Sequence, residues 1–173
     1  SDKLYFERSN NELWVTDGTT DGSQLVLEAR ADNLAGVGNN LFFTTNLDGF
    51  GDELWISNGT AEGTNLVFDI LPSEIRNGTQ VNDGSNPEDL INVNGTLFFT
   101  ADDGVNGRAL WKSDGTAEGT SLVADISEST SSFLSVSNFT AVGDTLYFIE
   151  GVNSNTQLWQ SDGTEEGTFV VEP

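Results

Sequence analysis

The chain has 173 residues, of which six are basic and 28 acidic, so its formal net charge is −22. A charge of this sign is repelled by phosphate backbones and by anionic membrane surfaces, so we expect no nucleic-acid partner. Cys and His are both absent. Their absence excludes a disulfide framework, thiolate metal sites and a Ser-His-Asp triad.

No apolar stretch reaches the about 18 residues that a membrane-spanning helix requires, so we expect no membrane insertion. The chain starts at Ser1 without a Met and without a signal peptide. We therefore expect it to be a processed or excised piece of a longer protein.

Short strands rich in aromatic and branched residues alternate with Gly, Asn and Asp turns along the whole chain. In order, strands are predicted at 3–7, 13–15, 24–27, 41–44, 54–56, 65–68, 90–93, 97–100, 110–111, 121–125, 139–142, 146–149, 158–159 and 168–171. They group into one repeat domain of four units, approximately 1–30, 31–71, 90–127 and 133–173. Residues 72–89 are rich in Ser, Asn, Gly and Asp, which predicts a surface excursion between two units.

One phrase recurs in every unit, as ELWVTDGT from Glu12, ELWISNGT from Glu53, ALWKSDGT from Ala109 and QLWQSDGT from Gln157. It contains all four tryptophans of the chain, Trp14, Trp55, Trp111 and Trp159, at spacings of 41, 56 and 48 residues. A period of about 40 to 50 residues with four strands per unit is typical of a β-propeller blade.

Neighbouring residues of a strand point to opposite faces of a sheet. In Leu97-Phe98-Phe99 and Leu146-Tyr147-Phe148 both neighbours are large and apolar, so both faces require burial. A two-sheet sandwich would leave one face polar, whereas stacked blades, or the coils of a β-solenoid, bury both. The sequence predicts an all-β, β-propeller-like array of about four short antiparallel blades.

The first unit begins at its second strand, so the first blade is predicted to lack its A strand. That strand could lie upstream in a longer chain, or another copy could supply it in a homo-oligomer that completes the ring. A fragment of a larger propeller is a further alternative. Because an open sheet edge invites association, we expect a contact with a parent chain or with further copies of this chain.

The phrase and its flanks, Leu-Tyr/Phe-Phe before it and Gly-Ser/Thr-x-x-Val after it, resemble the ELWxxDGT repeats of large secreted and surface-attached bacterial proteins. The resemblance covers nearly the whole chain, with departures at Ser23, Asn58, Ala109 and Gln157. It implies a propeller-like module of an exported bacterial protein, and hence an extracellular or cell-surface location. It implies no common activity.

The Asp-Gly-Thr corner of the phrase has two interpretations. Its acid or amide could help to bind calcium, or it could cap the turn by accepting backbone N–H groups. Recurrence at every corner favours turn capping by Asp17, Asn58, Asp114 and Asp162. The four tryptophans could form a sugar-binding shelf, but their recurrence at one strand position favours core wedges between blades.

The loops between the second and third strands of two units gather hard oxygen ligands. One loop offers Asp48, Asp52 and Glu53, and another Asp102, Asp103 and Asn106. Of these we consider Asp48, Asp52, Asp102, Asp103 and Asn106 as candidate calcium ligands. Neither loop matches an EF-hand or the glycine-rich nonapeptide calcium repeat. Calcium is the only cofactor that the sequence suggests.

Three functions are consistent with these observations. The favoured one is a non-catalytic extracellular scaffold or adhesion-type binding module of a larger or oligomeric surface protein, which binds a protein or glycan ligand or further copies of itself. The second is a calcium- or carbohydrate-binding propeller module. The third is a carboxylate-based hydrolase, although the 28 acidic residues single out no catalytic pair.

Overall fold

The computed structural model describes residues 3–72, 74–76, 79–81, 83–126, 136–152 and 155–171. Every regular element in these ranges is a β-strand, and no segment of them forms a helix long and apolar enough to cross a bilayer. The strands are β1 (Leu4–Arg8), β2 (Glu12–Thr16), β3 (Gln24–Leu27), β4 (Asp32–Val37), β5 (Asn40–Asn46), β6 (Asp52–Ser57), β7 (Thr64–Phe68), β8 (Glu74–Arg76), β9 (Thr79–Val81), β10 (Glu88–Val93), β11 (Thr96–Asp102), β12 (Arg108–Ser113), β13 (Ser121–Ala124), β14 (Val136–Val142), β15 (Thr145–Val152), β16 (Asn155–Ser161) and β17 (Phe169–Val170).

The strands form four antiparallel sheets in sequence order, which we call blades 1 to 4. Blade 1 is β1-β2-β3, blade 2 is β4-β5-β6-β7, blade 3 is β10-β11-β12-β13 and blade 4 is β14-β15-β16-β17. The four strands of a blade are named A to D, and the three strands of blade 1 correspond to B, C and D. The predicted all-β, propeller-like array with an incomplete first blade is therefore confirmed.

The chain divides into two compact units, Ser1–Asn86 with blades 1 and 2 and Pro87–Pro173 with blades 3 and 4. The boundary lies inside the predicted excursion 72–89. That excursion contains a two-stranded hairpin of β8 and β9, and blade 3 already begins at Glu88.

Pairing of strands B and C gives every blade two distinct faces. In blade 2, Phe43 lies opposite Trp55, and paired residues of adjacent strands share a face. We call this side, with the leucine two residues before the phenylalanine, the Trp face. Its members are Leu4, Phe6 and Trp14 in blade 1, Leu41, Phe43 and Trp55 in blade 2, Leu97, Phe99 and Trp111 in blade 3, and Leu146, Phe148 and Trp159 in blade 4. The opposite side carries the leucine of the phrase, and we call it the Leu face (Leu13, Leu54, Leu110 and Leu158).

In the first unit, the Trp face of blade 2 packs on the Leu face of blade 1. Leu13 and Val15 of blade 1 share one buried cluster with Leu41, Phe43 and Trp55 of blade 2. Leu13 and Phe43 are fully buried in it. We call such a contact, between the Leu face of one blade and the Trp face of the next, a seam.

The second unit contains an equivalent seam. Phe98 and Leu110 of blade 3 pack in one cluster with Leu146, Phe148 and Trp159 of blade 4. The rings of Phe148 and Trp159 stack with their centroids 6.0 Å apart. In both units the tryptophan of the later blade therefore lies between two blades.

A side-chain network closes the turn between strands C and D. In blade 2, the Oδ1 atom of Asn58 accepts hydrogen bonds from the Thr60 N–H at 3.0 Å and the Thr60 hydroxyl at 2.9 Å. The Thr60 hydroxyl oxygen accepts the N–H of Gly63 at 3.0 Å, and the Thr60 carbonyl accepts the Thr64 hydroxyl at 2.7 Å. The Thr64 hydroxyl oxygen also lies 2.8 Å from that of Ser57. The turn thereby binds several of its own N–H and hydroxyl groups.

This network leaves no room for a side chain at the second glycine of the turn. A Cβ atom at Gly63 would lie 2.1 Å from the Oδ1 atom of Asn58. The same contact would be 2.0 or 2.1 Å at Gly22, Gly119 and Gly167. The backbone at these glycines is not left-handed, so their φ angles do not require glycine. Glycine is required because the capping side chain lies too close for a Cβ atom.

We expect Gly63→Ala to destabilise the first unit by about 1–3 kcal/mol, because the added methyl group overlaps the capping amide. Gly36→Ala is the matched control, since Gly36 lies in the same blade, has no positive φ and would place its added methyl group more than 4 Å from any neighbouring atom. The control should change stability by less than about 0.5 kcal/mol. Urea unfolding measures both variants, and equal midpoints would contradict the steric argument.

Candidate functional site

The aspartates of the repeated phrase are bound inside their own turns. Asp17, Asp114 and Asp162 stand where blade 2 has Asn58. Each accepts the N–H of the threonine two residues on at 2.9 Å and its hydroxyl at 2.7 Å. The bond from the threonine hydroxyl, helped by the one from the N–H, lowers the pKa of all three carboxyl groups. These carboxylates are exposed, but the Oδ1 atom of each one is used to close the turn.

The four tryptophans have different environments. Trp14 is half-buried, and its indole N–H donates to the Oε2 atom of Glu12 at 2.7 Å. The guanidinium of Arg8 lies 5.1 Å from the centroid of the Trp14 ring. Trp55 and Trp111 are only 6% and 7% exposed, so these two rings present no open face to a sugar.

The candidate calcium ligands of blade 2 lie in the loop between β5 and β6. Asp48 and Asp52 are both exposed. Asp48 has a left-handed backbone with φ of 56°, which Asp adopts more readily than most residues. The backbone carbonyl of Asp52 accepts the N–H of Asn86 at 2.9 Å.

The candidates of blade 3 are brought together in the loop between β11 and β12, but they bond to one another. Asp102 Oδ1 accepts the N–H of Gly104 at 2.7 Å. Asp103 Oδ1 accepts the N–H groups of Val105 and Asn106 at 2.9 and 2.7 Å, and Asp103 Oδ2 accepts the Asn106 side-chain amide at 2.8 Å. Partial burial acts to raise the pKa of Asp103, but these hydrogen bonds outweigh it and lower the pKa.

No group of three or more His, Cys, Asp or Glu residues within the described ranges is placed to hold a metal ion. Calcium binding by either loop stays a prediction.

A buried carboxylate in blade 2 was not identified from the sequence as a structural anchor. Glu53 is fully buried at the start of strand C. Its Oε1 atom accepts the N–H of Ser85 at 2.7 Å, and its Oε2 atom accepts the Ser85 hydroxyl at 2.5 Å and the N–H of Ile70 at 3.4 Å. Burial raises the pKa of Glu53, although the bonds from Ser85 act in the opposite direction.

A second acid lies beside this carboxylate. The negative charge of Asp69 adds to the upward shift of the Glu53 pKa, and burial raises the pKa of Asp69 itself. The Oδ1 atom of Asp69 is buried and has no hydrogen-bond partner among the described residues. The two groups form a pair of carboxyls that favour protonation more than exposed ones do.

The same region brings two glycines into close backbone contact. A Cβ atom on Gly51 would lie 2.4 Å from the backbone nitrogen of Gly84, and one on Gly84 would lie 2.4 Å from that of Asp52. Together with the bonds from Ser85 and Asn86, this contact fixes residues 83–86 to the B–C loop of blade 2. The end of the predicted surface excursion thus enters the blade, with Ser85 fully buried. The only local signal for it is a Gly and a small polar residue within a stretch of turn residues.

Each seam opens at its rim into a cleft. In the first unit the cleft measures about 690 Å³ and is lined by residues that include Lys3, Tyr5, Asn39 and Asn58. In the second unit it measures about 360 Å³ and is lined by residues that include Asn94, Lys112, Asp114, Asp144 and Asp162. Both volumes fall in the range of small-molecule sites, and polar side chains line both clefts.

No protein-family model matches the chain, and no curated protein is similar to it. Among solved structures it is similar to acylaminoacyl peptidase from Pyrococcus horikoshii, with a TM-score of 0.58 and 13% identity, and to oligopeptidase B from Leishmania major, with a TM-score of 0.57 and 12% identity. Both matches cover 99% of this chain, which spans only 25% and 27% of the two peptidases. A weaker match to TolB from Acinetobacter baumannii has 13% identity, a TM-score of 0.34 and covers 97% of this chain and 51% of that one. At these identities the first two matches support the fold alone.

Replacing Asp17, Asp114 and Asp162 together by Asn, the residue that blade 2 already uses, is expected to keep the turns and reduce the acid sensitivity of the protein. Because the folded pKa values are lowered, the carboxylates contribute stability above their ordinary pKa of 3.8. This contribution is lost as the pH falls through the folded values. Between about pH 5 and about pH 3, the melting temperature of the wild type should therefore fall more than that of the variant.

The control for this change removes three charges from the same turns without touching the capping position. Asp21→Asn, Glu118→Gln and Glu165→Gln together alter exposed acids. This variant should keep the acid sensitivity of the wild type. Identical pH profiles for the two triple variants would show that net charge, and not turn capping, governs the effect.

Ser85→Ala should destabilise the first unit by about 1–3 kcal/mol, because the buried Glu53 carboxylate loses a hydroxyl donor. Because burial raises the pKa of Glu53 in the folded protein, more of this carboxyl is ionised at about pH 7 than at about pH 5. The missing hydroxyl donor matters most to the ionised form, so the loss of stability should be larger at about pH 7. Urea unfolding at the two pH values measures it. Ser9→Ala, at an exposed position of the same unit, is the control, and a Ser85 variant no less stable than this control would contradict the anchor.

Proposed function

We propose that the chain is a non-catalytic extracellular scaffold of the adhesion type, a binding module within a larger or oligomeric bacterial surface protein. One observation carries the proposal. The corner residue of the phrase, Asp in three blades and Asn58 in blade 2, accepts hydrogen bonds from its own turn, so the repeat supplies architecture. The groups left for a partner are those that differ from blade to blade.

The B–C loops are the main variable surface. In blade 2 this loop carries the exposed Asp48 and Asp52, and residues 83–86 are fixed against it through Ser85. In blade 3 the loop is closed by Asp103 and presents Val105, which is 86% exposed. Rigidly held loops with exposed polar and apolar tips suit recognition of a protein or glycan surface.

A carbohydrate- or calcium-binding module is the second candidate. The clefts at the two seams, lined by Asn, Asp and Lys side chains, favour a hydroxyl-rich ligand. The exposed carboxylates of Asp48 and Asp52 in one loop favour a cation.

A carboxylate-based hydrolase has less support. The raised pKa values of Glu53 and Asp69 suit an acid catalyst. However, Glu53 is fully buried, and both of its oxygens accept hydrogen bonds from Ser85. A group held in this way stabilises the blade and has no exposed surface to offer a substrate.

We expect beads that carry the protein to be retained on a gelatin film or on immobilised dextran, and to be retained several-fold less when Asp48→Asn and Asp52→Asn are combined. The double substitution removes two negative charges from the B–C loop, and Asn at position 48 can adopt the left-handed backbone of Asp48. Asp21→Asn with Glu62→Gln removes the same charge from exposed positions of C–D turns in the same unit and should have no effect.

The assay is run with millimolar calcium and with a chelator. Retention that needs calcium, together with a calcium-dependent rise in melting temperature that the Asp48/Asp52 variant loses, would favour the calcium-binding candidate over the scaffold. Equal retention of beads with and without the protein, on both surfaces and in both buffers, would contradict the adhesion proposal.

A further inference from the structure

Blade 1 exposes the face that its counterpart in blade 2 buries. Leu4 and Phe6 on the Trp face of blade 1 are 64% and 37% exposed. Leu41 and Phe43, at the equivalent positions of blade 2, are 4% and 0% exposed, because they pack on the Leu face of blade 1. The Trp face of blade 1 carries an exposed apolar strip beside the Arg8–Glu12 pair, with no Leu face against it among the described residues of its unit.

Blade 4 exposes the opposite face. Leu158 is 40% exposed, whereas the equivalent Leu110 of blade 3 is fully buried against the Trp face of blade 4. Phe169 pairs with Gln160 on the same side and is 47% exposed. Val142, on strand A of this blade, is 60% exposed.

The two exposed faces are the two halves of a seam. Both seams within the units join a Leu face to a Trp face, in that order. We propose that the Trp face of blade 1 in one copy of the chain docks on the Leu face of blade 4 in a second copy. A second copy of the chain is thus the partner in the oligomeric scaffold proposed above. The inference rests on that proposal only in treating the chain as one subunit of a larger assembly.

The polar rim of the seams supports this pairing. In the first unit, Lys3 and Gln24 of blade 1 donate to the carbonyls of Asn58 and Gly59 in the next blade, both at 2.6 Å. In the second unit, Lys112 of blade 3 donates to the carbonyl of Gly163 at 2.8 Å. Each seam thus sends donors from its Leu face to the C–D turn of the following blade.

The C–D turn of blade 1 lacks this cover. A methyl group added at Gly59 would have Lys3 Nζ and the Tyr5 hydroxyl 3.0 Å away, and one added at Gly163 would have the Phe98 ring 3.0 Å away. The equivalent position of Gly18 in blade 1 has no atom within 4 Å. In both seams, side chains of the preceding blade donate to carbonyls of the C–D turn. The C–D turn of blade 1 is open to donors of the same kind.

Blade 4 carries the side chains that would fill it. Tyr147 occupies the strand position of Tyr5 and Phe98, and Gln160 occupies that of Lys112. In the proposed interface, Tyr147 of one copy covers Gly18 of the other, and the amide of Gln160 donates to the carbonyl of the Gly18 turn. Gln160 can make this bond without a charge, as Gln24 does in the first unit.

The negative charge of the chain opposes the association, and it predicts how the association should depend on salt. Each copy carries a formal charge of −22, and added salt screens repulsion between copies. Because the proposed seam is apolar, association should strengthen as the salt concentration rises. An interface made of ion pairs would weaken instead.

Sedimentation of the whole chain at high ionic strength, over a range of protein concentrations, tests the proposal. The wild type should self-associate, whereas Leu4→Asp and Leu158→Asp should each associate at least about tenfold more weakly when studied alone. An equimolar mixture of the two variants should restore dimers, because each contributes one intact face. Val105→Asp, at a position 86% exposed in a B–C loop, should behave as the wild type.

Three outcomes would overturn the proposal: a wild type that stays monomeric at every concentration, a Leu158→Asp variant that associates as strongly as the wild type, or a mixture that stays monomeric. The second outcome would indicate that two Trp faces pair with each other. Circular dichroism verifies that the variants fold, and Leu4→Ser and Leu158→Ser replace any that does not. If assembly is absent but bead retention is intact, this inference fails and the adhesion proposal stands. If bead retention is absent but assembly is intact, the adhesion proposal fails and this inference stands.

Discussion

Burial of both faces of each sheet is the constraint on which this fold depends. Phe42 and Phe43 are neighbours on one strand and point to opposite faces, yet they are 1% and 0% exposed. A lone four-stranded sheet buries neither face, and burying one such side chain contributes about 1.5–3 kcal/mol. A blade is therefore stabilised by packing against its neighbours, and the Trp and Leu faces determine which side of a neighbour it accepts.

The repeated phrase combines this packing with a turn whose side chains cap their own backbone N–H groups. Its Leu and Trp enter two different faces. At the corner, the Asp or Asn accepts the N–H of the phrase's last Thr, while the Ser of blades 2 to 4 is buried and bonds to a Thr beyond the end of the phrase. Because Asp114 and its equivalents have lowered pKa values, the rim stays ionised well into the acid range. The same eight residues thus supply a dry interior and a charged edge.

Local sequence predicted the blades because strand alternation and turn glycines are local signals. It could not predict contacts that depend on tertiary structure. Glu12 and Glu53 occupy the same position of the phrase, yet Glu12 bonds to the indole of Trp14 and Glu53 to Ser85, 32 residues further on. In the same way, Leu4 and Leu41 have the same place in the pattern and opposite burial. Whether a repeated residue lies inside or outside depends on what its blade meets, which the repeat itself does not encode.

Function is therefore expected where the repeat is broken. The repeat is broken at the B–C loop that residues 83–86 hold in place, and at the two apolar faces left exposed on blades 1 and 4. Exposed Leu4 and Leu158 on a protein with a charge of −22 set burial of apolar surface against long-range charge repulsion. If copies associate as proposed, repulsion between them should weaken the association at low ionic strength, and screening by salt should strengthen it. A scaffold of this composition would remain dispersed in dilute buffer and assemble in salty surroundings, with its variable loops on the assembled units.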